Sequence, residues 1–238
     1  MAIQKLNSSS SRNVLLDAVR GIHPDCFSVQ KFGFNRHVGT TYETIFNDGG
    51  GIYTPPASAV AMSAVSSSAS DTMGLLITGL DADWREISET VTLNGLTTVT
   101  TTKQFLRIND AQITSGNNVG NITISNNGTQ YYYIEATYGI AQYAFYSVPA
   151  DHTFYLFQVD FTSGTIGSNK YGFARAKMHQ DGGAILNFYE STFVTSQLKY
   201  DLPIPFKIPE KTDFSLECKS SSSENEISVY FCGILIKE

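Results

Sequence analysis

The chain has 238 residues, 42% of them hydrophobic and 16% charged, with a net charge of −6. That length buries a sizeable core without cross-links, and the absence of any Lys/Arg run removes the electrostatic footprint of a nucleic-acid binder. No stretch is long and apolar enough to span a bilayer, and the opening "MAIQKLNSSSSRNVLL" lacks the apolar segment of a secretory signal.

The three cysteines, Cys26, Cys218 and Cys232, form no CxxC or Cys/His cluster. Cys218 and Cys232 are placed to face each other across a terminal hairpin, but an odd count without a secretion signal favours free thiols. The sequons at Asn7, Asn121 and Asn127 are then expected to stay unmodified.

In chain order, residues 1–20 are polar and serine-rich with a brief apolar patch at Val14, Leu15, Leu16 and Val19. They read as a frayed end with one short helix, or as an arm that orders on a neighbouring subunit. From Phe32 onward the pattern is β. "VGTTYETIFNDGGGIYTPP" alternates β-formers with polar residues, and 57–72 reads as a strand followed by a serine loop. "MGLLITGL" is a strand. "EISETVTLNGLTTVTTT" reads as a hairpin, because Asn94-Gly95 suits the positive φ values of a type I′ turn. "QFLRI", "NITIS" and "YYYIEA" follow, with a second turn at Asn126-Asn127-Gly128.

The strongest strand is "HTFYLFQVDFT" (152–162), with Thr153, Tyr155, Phe157, Val159 and Phe161 on one face by strict alternation. "KYGFARAKMHQ", "AILNFYESTFVT" and a closing hairpin "FSLECKSSSSENEISVYFCGILI" complete the run. The three prolines of "DLPIPFKIPEK" confine it to an edge or a crossing segment. The pattern predicts an all-β fold, an antiparallel β-sandwich of jelly-roll-like kind with an N-terminal arm. The segments are an arm over 1–31, a β-sandwich region over 32–148, and 149–238 either completing that sandwich or forming a second lobe.

Chemistry is sparse. No GxSxG elbow or cysteine-nucleophile signature is present. His23, His37, His152 and His179 have no HxH or HExxH spacing, and the Gly run 49–51 lacks the ending of a phosphate loop. The acids around the only tryptophan, Trp84, are the best candidates: Asp81, Asp83 and Glu86 offer hard oxygen ligands for Ca²⁺. They fail the EF-hand pattern, and Asp81 and Asp83 lie too close in sequence to face each other across a glycosidase cleft. Their expected place is a turn and a solvated strand face, with Glu89 interrupting the apolar face and marking a strand end, a bulge or a partner's basic group. The tyrosine-dense "TQYYYIEATYGIAQYAFYSV" suits a protein interface, or a glycan platform through Tyr131 and Tyr132.

Taken in order, "GFNRHVGTTYETIFNDGGGIYTPP", "ITGLDADWREISETVTLNGLTTVTTTKQFLRINDAQI", "NVGNITIS", "YSVPADHTFYLFQVDF" and "IPEKTDFSLECKSSSSENEISVYFCGILI" resemble a family of tailed-phage virion structural proteins, of the type found in marine phages and cyanophages. The resemblance spans roughly Phe32 to Ile236. It implies a non-enzymatic virion component without cofactor or metal. A capsid decoration or cement protein contacting the major capsid protein, as a homo-oligomer, is its first reading. A tail or fibre-associated subunit, including a glycan-binding adhesin, is the second. The departure from the family's pattern is Asp151 in "VPAD", where a glycine is expected after Ala150.

Overall fold

A computed structural model of the chain describes residues 14–164, 171–194, 197–222 and 225–238. The first thirteen residues of the expected arm lie outside the described residues; the arm's helix is α1 (Val14–Val19). In chain order follow β1 (Cys26–Val38) and β2 (Glu43–Thr44). Then come β3 (Val60–Ser66), β4 (Gly74–Leu80), β5 (Glu86–Thr92) and β6 (Val99–Phe105). Next are β7 (Arg107–Ile113), β8 (Ile122–Asn126), β9 (Thr129–Ile134) and β10 (Phe145–Ser147). The last six are β11 (His152–Ser163), β12 (Gly172–Gln180), β13 (Ile185–Phe193), β14 (Gln197–Ile208), β15 (Thr212–Ser220) and β16 (Asn225–Lys237).

The fold is all-β and antiparallel. One sandwich pairs a sheet of order β1-β16-β11-β14 with a sheet of order β10-β15-β12-β13, and β2 extends the latter along β15. Its ladders nest: β1 with β16, β10 with β15, β11 with β14, and β12 with β13. A long antiparallel hairpin of eight strands, rolled so that β16 also meets β11 and β15 also meets β12, gives this order. That is the jelly roll, an architecture of two Greek keys. Its core includes Phe154, Leu156, Phe161, Phe214, Leu216 and Phe231.

A second sandwich is inserted between β2 and β10. It pairs a β6-β3-β8-β9 sheet with a β5-β4-β7 sheet around Met62, Leu75, Ile77, Phe105, Ile124 and Tyr132. At its neck the chain leaves β15 at Ile45 and returns at Ala144. Ile45 N–H donates to the Leu216 carbonyl, Ala144 N–H to the Ile45 carbonyl, and Leu216 N–H to the Ala144 carbonyl. Gly33 of β1 lies over this neck. A Cβ there would sit 2.2 Å from the Ile45 carbonyl oxygen, so only glycine admits the approach.

The sheets therefore divide the chain differently from the linear segments 1–31, 32–148 and 149–238. Cys26–Lys31 belongs to β1, and β1 and β10 both belong to the jelly roll with the C-terminal strands.

Three local expectations are corrected. Asn94-Gly95 does not close a hairpin, because β5 and β6 lie in opposite sheets. Only Gly95 has positive φ there, 56°, and it packs on the Ala69 backbone. The two-residue turn with both central residues at positive φ is Asn127-Gly128, at 46° and 81°, between the paired strands β8 and β9. The closing segment is likewise no hairpin: β15 and β16 sit in opposite sheets, so Cys218 and Cys232 are apart, and all three cysteines are free. In β11 strict alternation fails at a bulge between Leu156 and Gln158. The extra residue, Phe157, switches the parity, so the buried apolar set is Phe154, Leu156, Val159 and Phe161.

Candidate interaction surfaces and the junction between the sandwiches

The acidic segment around Trp84 builds a junction. Asp81 folds it: its Oδ1 accepts from the N–H groups of Asp83 and Arg85, both at 2.9 Å, in an Asx-type turn. Trp84 takes positive φ, 64°, in that turn. Its side chain is only 4% exposed, packed with Leu80 and Leu106. The Arg107 guanidinium lies 4.6 Å from the centre of the indole, and Ala150 N–H donates to the Trp84 carbonyl at 2.8 Å. Trp84 therefore ties the inserted sandwich to the jelly roll within one chain.

Arg107 in turn donates through Nε to Asp213 Oδ1 of β15 at 2.8 Å, and through Nη1 to the Pro56 carbonyl at 3.1 Å. Asp213 also accepts from Ser147 Oγ at 2.6 Å. Nearby, Asn109 and Ser147 exchange two hydrogen bonds of 2.9 and 2.8 Å. Lys31 donates to the Asn109 carbonyl at 2.5 Å, with Asp110 at 3.7 Å. Burial lowers the Lys31 pKa against the opposing pull of Asp110. On the other flank Arg36 of β1 meets Glu135 at 2.7 Å, and Asn47 donates to the same carboxylate at 3.2 Å. Sequence reasoning singled out none of these residues. The available signal was a lone charge inside an apolar strand run, as Arg107 is in "QFLRI".

The other candidate ligands disperse. Asp83 pairs at the surface with Arg85, 3.8 Å away. Among the described residues no group of three His, Cys, Asp or Glu side chains is placed to hold a metal ion. Glu89 is engaged within its own chain: its carboxylate accepts from the N–H groups of Thr102 and Lys103 at 2.8 and 2.7 Å. It bridges β5 to β6 across the two sheets of the inserted sandwich, supplying the acceptors that a paired strand would have given.

Of the six tyrosines in the run, Tyr132, Tyr143 and Tyr146 are buried, Tyr131 and Tyr133 are half-buried and Tyr138 is exposed. Tyr132 stacks on Tyr143 with ring centres 4.0 Å apart, and Tyr53 packs edge-on to both. Tyr132 is fully buried and unavailable to a sugar. Asp151, where a glycine was expected, does take positive φ, 59°, and its N–H donates to Glu210 Oε2 at 2.8 Å.

On the outer face of the second jelly-roll sheet, Glu217 has no exposed side-chain surface. It accepts from Arg175 Nε at 2.5 Å and pairs with Lys177 Nζ at 2.6 Å. Tyr42 lies over Arg175 at 4.0 Å and donates to Glu190 at 2.7 Å.

The edge strands β13 and β14 carry part of the exposed apolar surface. Ile185, Leu186 and Ile204 are exposed there, with Val194 just past the end of β13. Between these edges an apolar pocket of about 220 Å³ enters the jelly-roll core. Its floor is Leu156, Val159 and Phe161, which are buried, and its rim is Phe188, Leu202 and Phe206, which are half-exposed. Phe188 and Phe206 stack across the gap at 4.4 Å. Burial pushes the Tyr189 hydroxyl, on the same wall, up to about 12.

No protein-family model matches the chain, and no curated protein matches it. Among solved structures, the crystal structure of the infectious bursal disease virus VP2 subviral particle aligns with 9% identity over 90% of this chain and 72% of that one, at a TM-score of 0.27. The Gx strain of the same virus gives 9% identity over 89% and 72% at a TM-score of 0.23, and the Gt strain 10% over 89% and 76% at 0.21. Likenesses at this level leave the function of this chain to be read from its own residues.

Proposed function

We propose that this chain is a non-enzymatic structural protein of a virus particle, and within that class a capsid decoration or cement protein of a tailed phage. The observation that carries the reading is a jelly roll whose β13–β14 edge is left open, apolar and accessible. Exposed large apolar patches mark association surfaces, and the jelly roll is shared by capsid, lectin and cupin proteins. The sequence resemblance to phage virion proteins favours the capsid member of that trio. The burial of Tyr132 and Tyr143 weakens the sugar-binding alternative, since it removes two of the aromatic faces a glycan would stack on. Multiplied over a symmetric shell, modest contacts per copy suffice for firm attachment.

The test is the protein's place in purified particles, by stoichiometry and cryo-electron microscopy. Regular occupancy on the head shell, in contact with the major capsid protein, is expected. Density confined to the tail would favour the tail-subunit reading and end the decoration one, and absence from the particle would end both.

A further inference from the structure

The pocket between β13 and β14 has a complementary shape beside it. The β11–β14 register jumps from Leu156↔Phe206 to Gln158↔Asp201, so Leu202 to Pro205 bulge out of the ladder opposite Phe157. At the tip of that bulge Ile204 is 85% exposed, the most exposed of the large apolar side chains among the described residues. Pro203 and Pro205 flank it. Proline fixes φ, so the isoleucine is held with little conformational freedom left to lose on binding. The same prolines lack N–H donors and bar another strand from pairing along this stretch, so contact here is made by side chains.

We propose that this edge is self-complementary and that two copies of the chain pair through it, the Ile204 of each entering the apolar pocket of the other. Knob and hole lie side by side on one strand: Leu202 and Phe206 line the hole, and Ile204, between them in the chain, is exposed. A two-fold interface requires this arrangement, because each surface must offer both the group and its receptor. The hole suffices in size. A wholly apolar cavity of about 150 Å³ accommodates benzene, and this one is about 220 Å³. Leu186, exposed on β13 beside the Phe188 rim, extends the apolar contact around the knob. This pairing goes beyond the proposed virion role and stands without it, since it follows from the shape of one edge.

The experiment is sedimentation velocity on the full chain over a range of concentrations, with three samples beside wild type. Ile204→Ser removes the knob at an exposed site and should leave folding intact. Ala176→Leu fills the hole, and its melting curve shows whether the fold is kept. Wild type is expected to dimerise. Each variant alone should associate about 100-fold more weakly or worse, because a two-fold contact loses two buried isoleucines at once. A mixture of the two variants should associate more tightly than either alone, since one knob then finds one intact hole. A monomeric wild type, a dimer indifferent to Ile204→Ser, or a mixture no tighter than its components would each overturn the proposal.

Discussion

Arg107 Nε lies 2.8 Å from Asp213 Oδ1, and this one contact joins β7 of the inserted sandwich to β15 of the jelly roll. Both side chains are nearly buried, so removing either leaves the other as an uncompensated charge. Asp213→Ala is expected to destabilise by about 3–5 kcal/mol. Replacing both residues by apolar ones of similar volume should cost less than the sum of the single changes. Urea unfolding of the single and double variants measures both; additive losses would mean that the pair does not act as a unit.

Trp84 is the only tryptophan, and it sits where the sandwiches meet. Its fluorescence should be blue-shifted in the native protein and move to the red when the junction opens. In the Asp213→Ala variant that shift should occur at lower urea. Trp84→Ala is expected to cost about 3–5 kcal/mol, the range for large aromatic truncations in a core. An emission maximum typical of exposed indole in the native state would contradict the assignment.

Tyr132 is buried with no hydrogen-bond partner for its hydroxyl. Tyr132→Phe removes a desolvated polar group and keeps the stack on Tyr143. It should be neutral or stabilising by about 1 kcal/mol. Thermal melting checks this, and a marked loss of stability would point to a partner for that hydroxyl.

Asp71 organises the serine loop. Its carboxylate accepts from Ser66 Oγ at 2.5 Å, Val119 N–H at 2.7 Å and Gly120 N–H at 2.9 Å. Burial presses its pKa upward, and the three hydrogen bonds outweigh it, holding the carboxyl below its usual value. The unfolded chain releases that proton at about pH 3.9. The contribution is therefore full above that pH and is lost as pH falls through the lower folded value. Asp71→Asn should flatten the acid side of the stability curve between about pH 5 and 3. Melting temperatures across that range give the answer, and parallel curves for the two proteins would refute it.

Much of the local structure was legible in the chain. The alternation in "MGLLITGL" and "NITIS" marks β4 and β8, the Asn-Gly pair at 127–128 is a two-residue turn, and the prolines of 201–211 keep β14 at an edge. These follow from short-range physics: the pleat, the steric demand for positive φ, and the missing N–H of proline. Asn94-Gly95 carries the same signal as Asn127-Gly128 and forms no hairpin. Dihedral preference selects a turn but cannot say whether the next strand pairs beside its predecessor or crosses to the facing sheet.

The sequence by itself determined that the chain is built of β-strands and that it carries no GxSxG, HxH, HExxH or CxxC spacing. Only the tertiary structure decided that one jelly-roll strand is interrupted at Ile45 and resumed at Ala144. It also decided that the acids beside Trp84 shape a turn at a junction, that Glu89 closes a gap between strands of its own chain, and that Ile204 stands beside a pocket. Each of these depends on contacts between residues far apart in the chain. Local propensity carries no record of such contacts, because they are selected by the burial of both sandwich cores together.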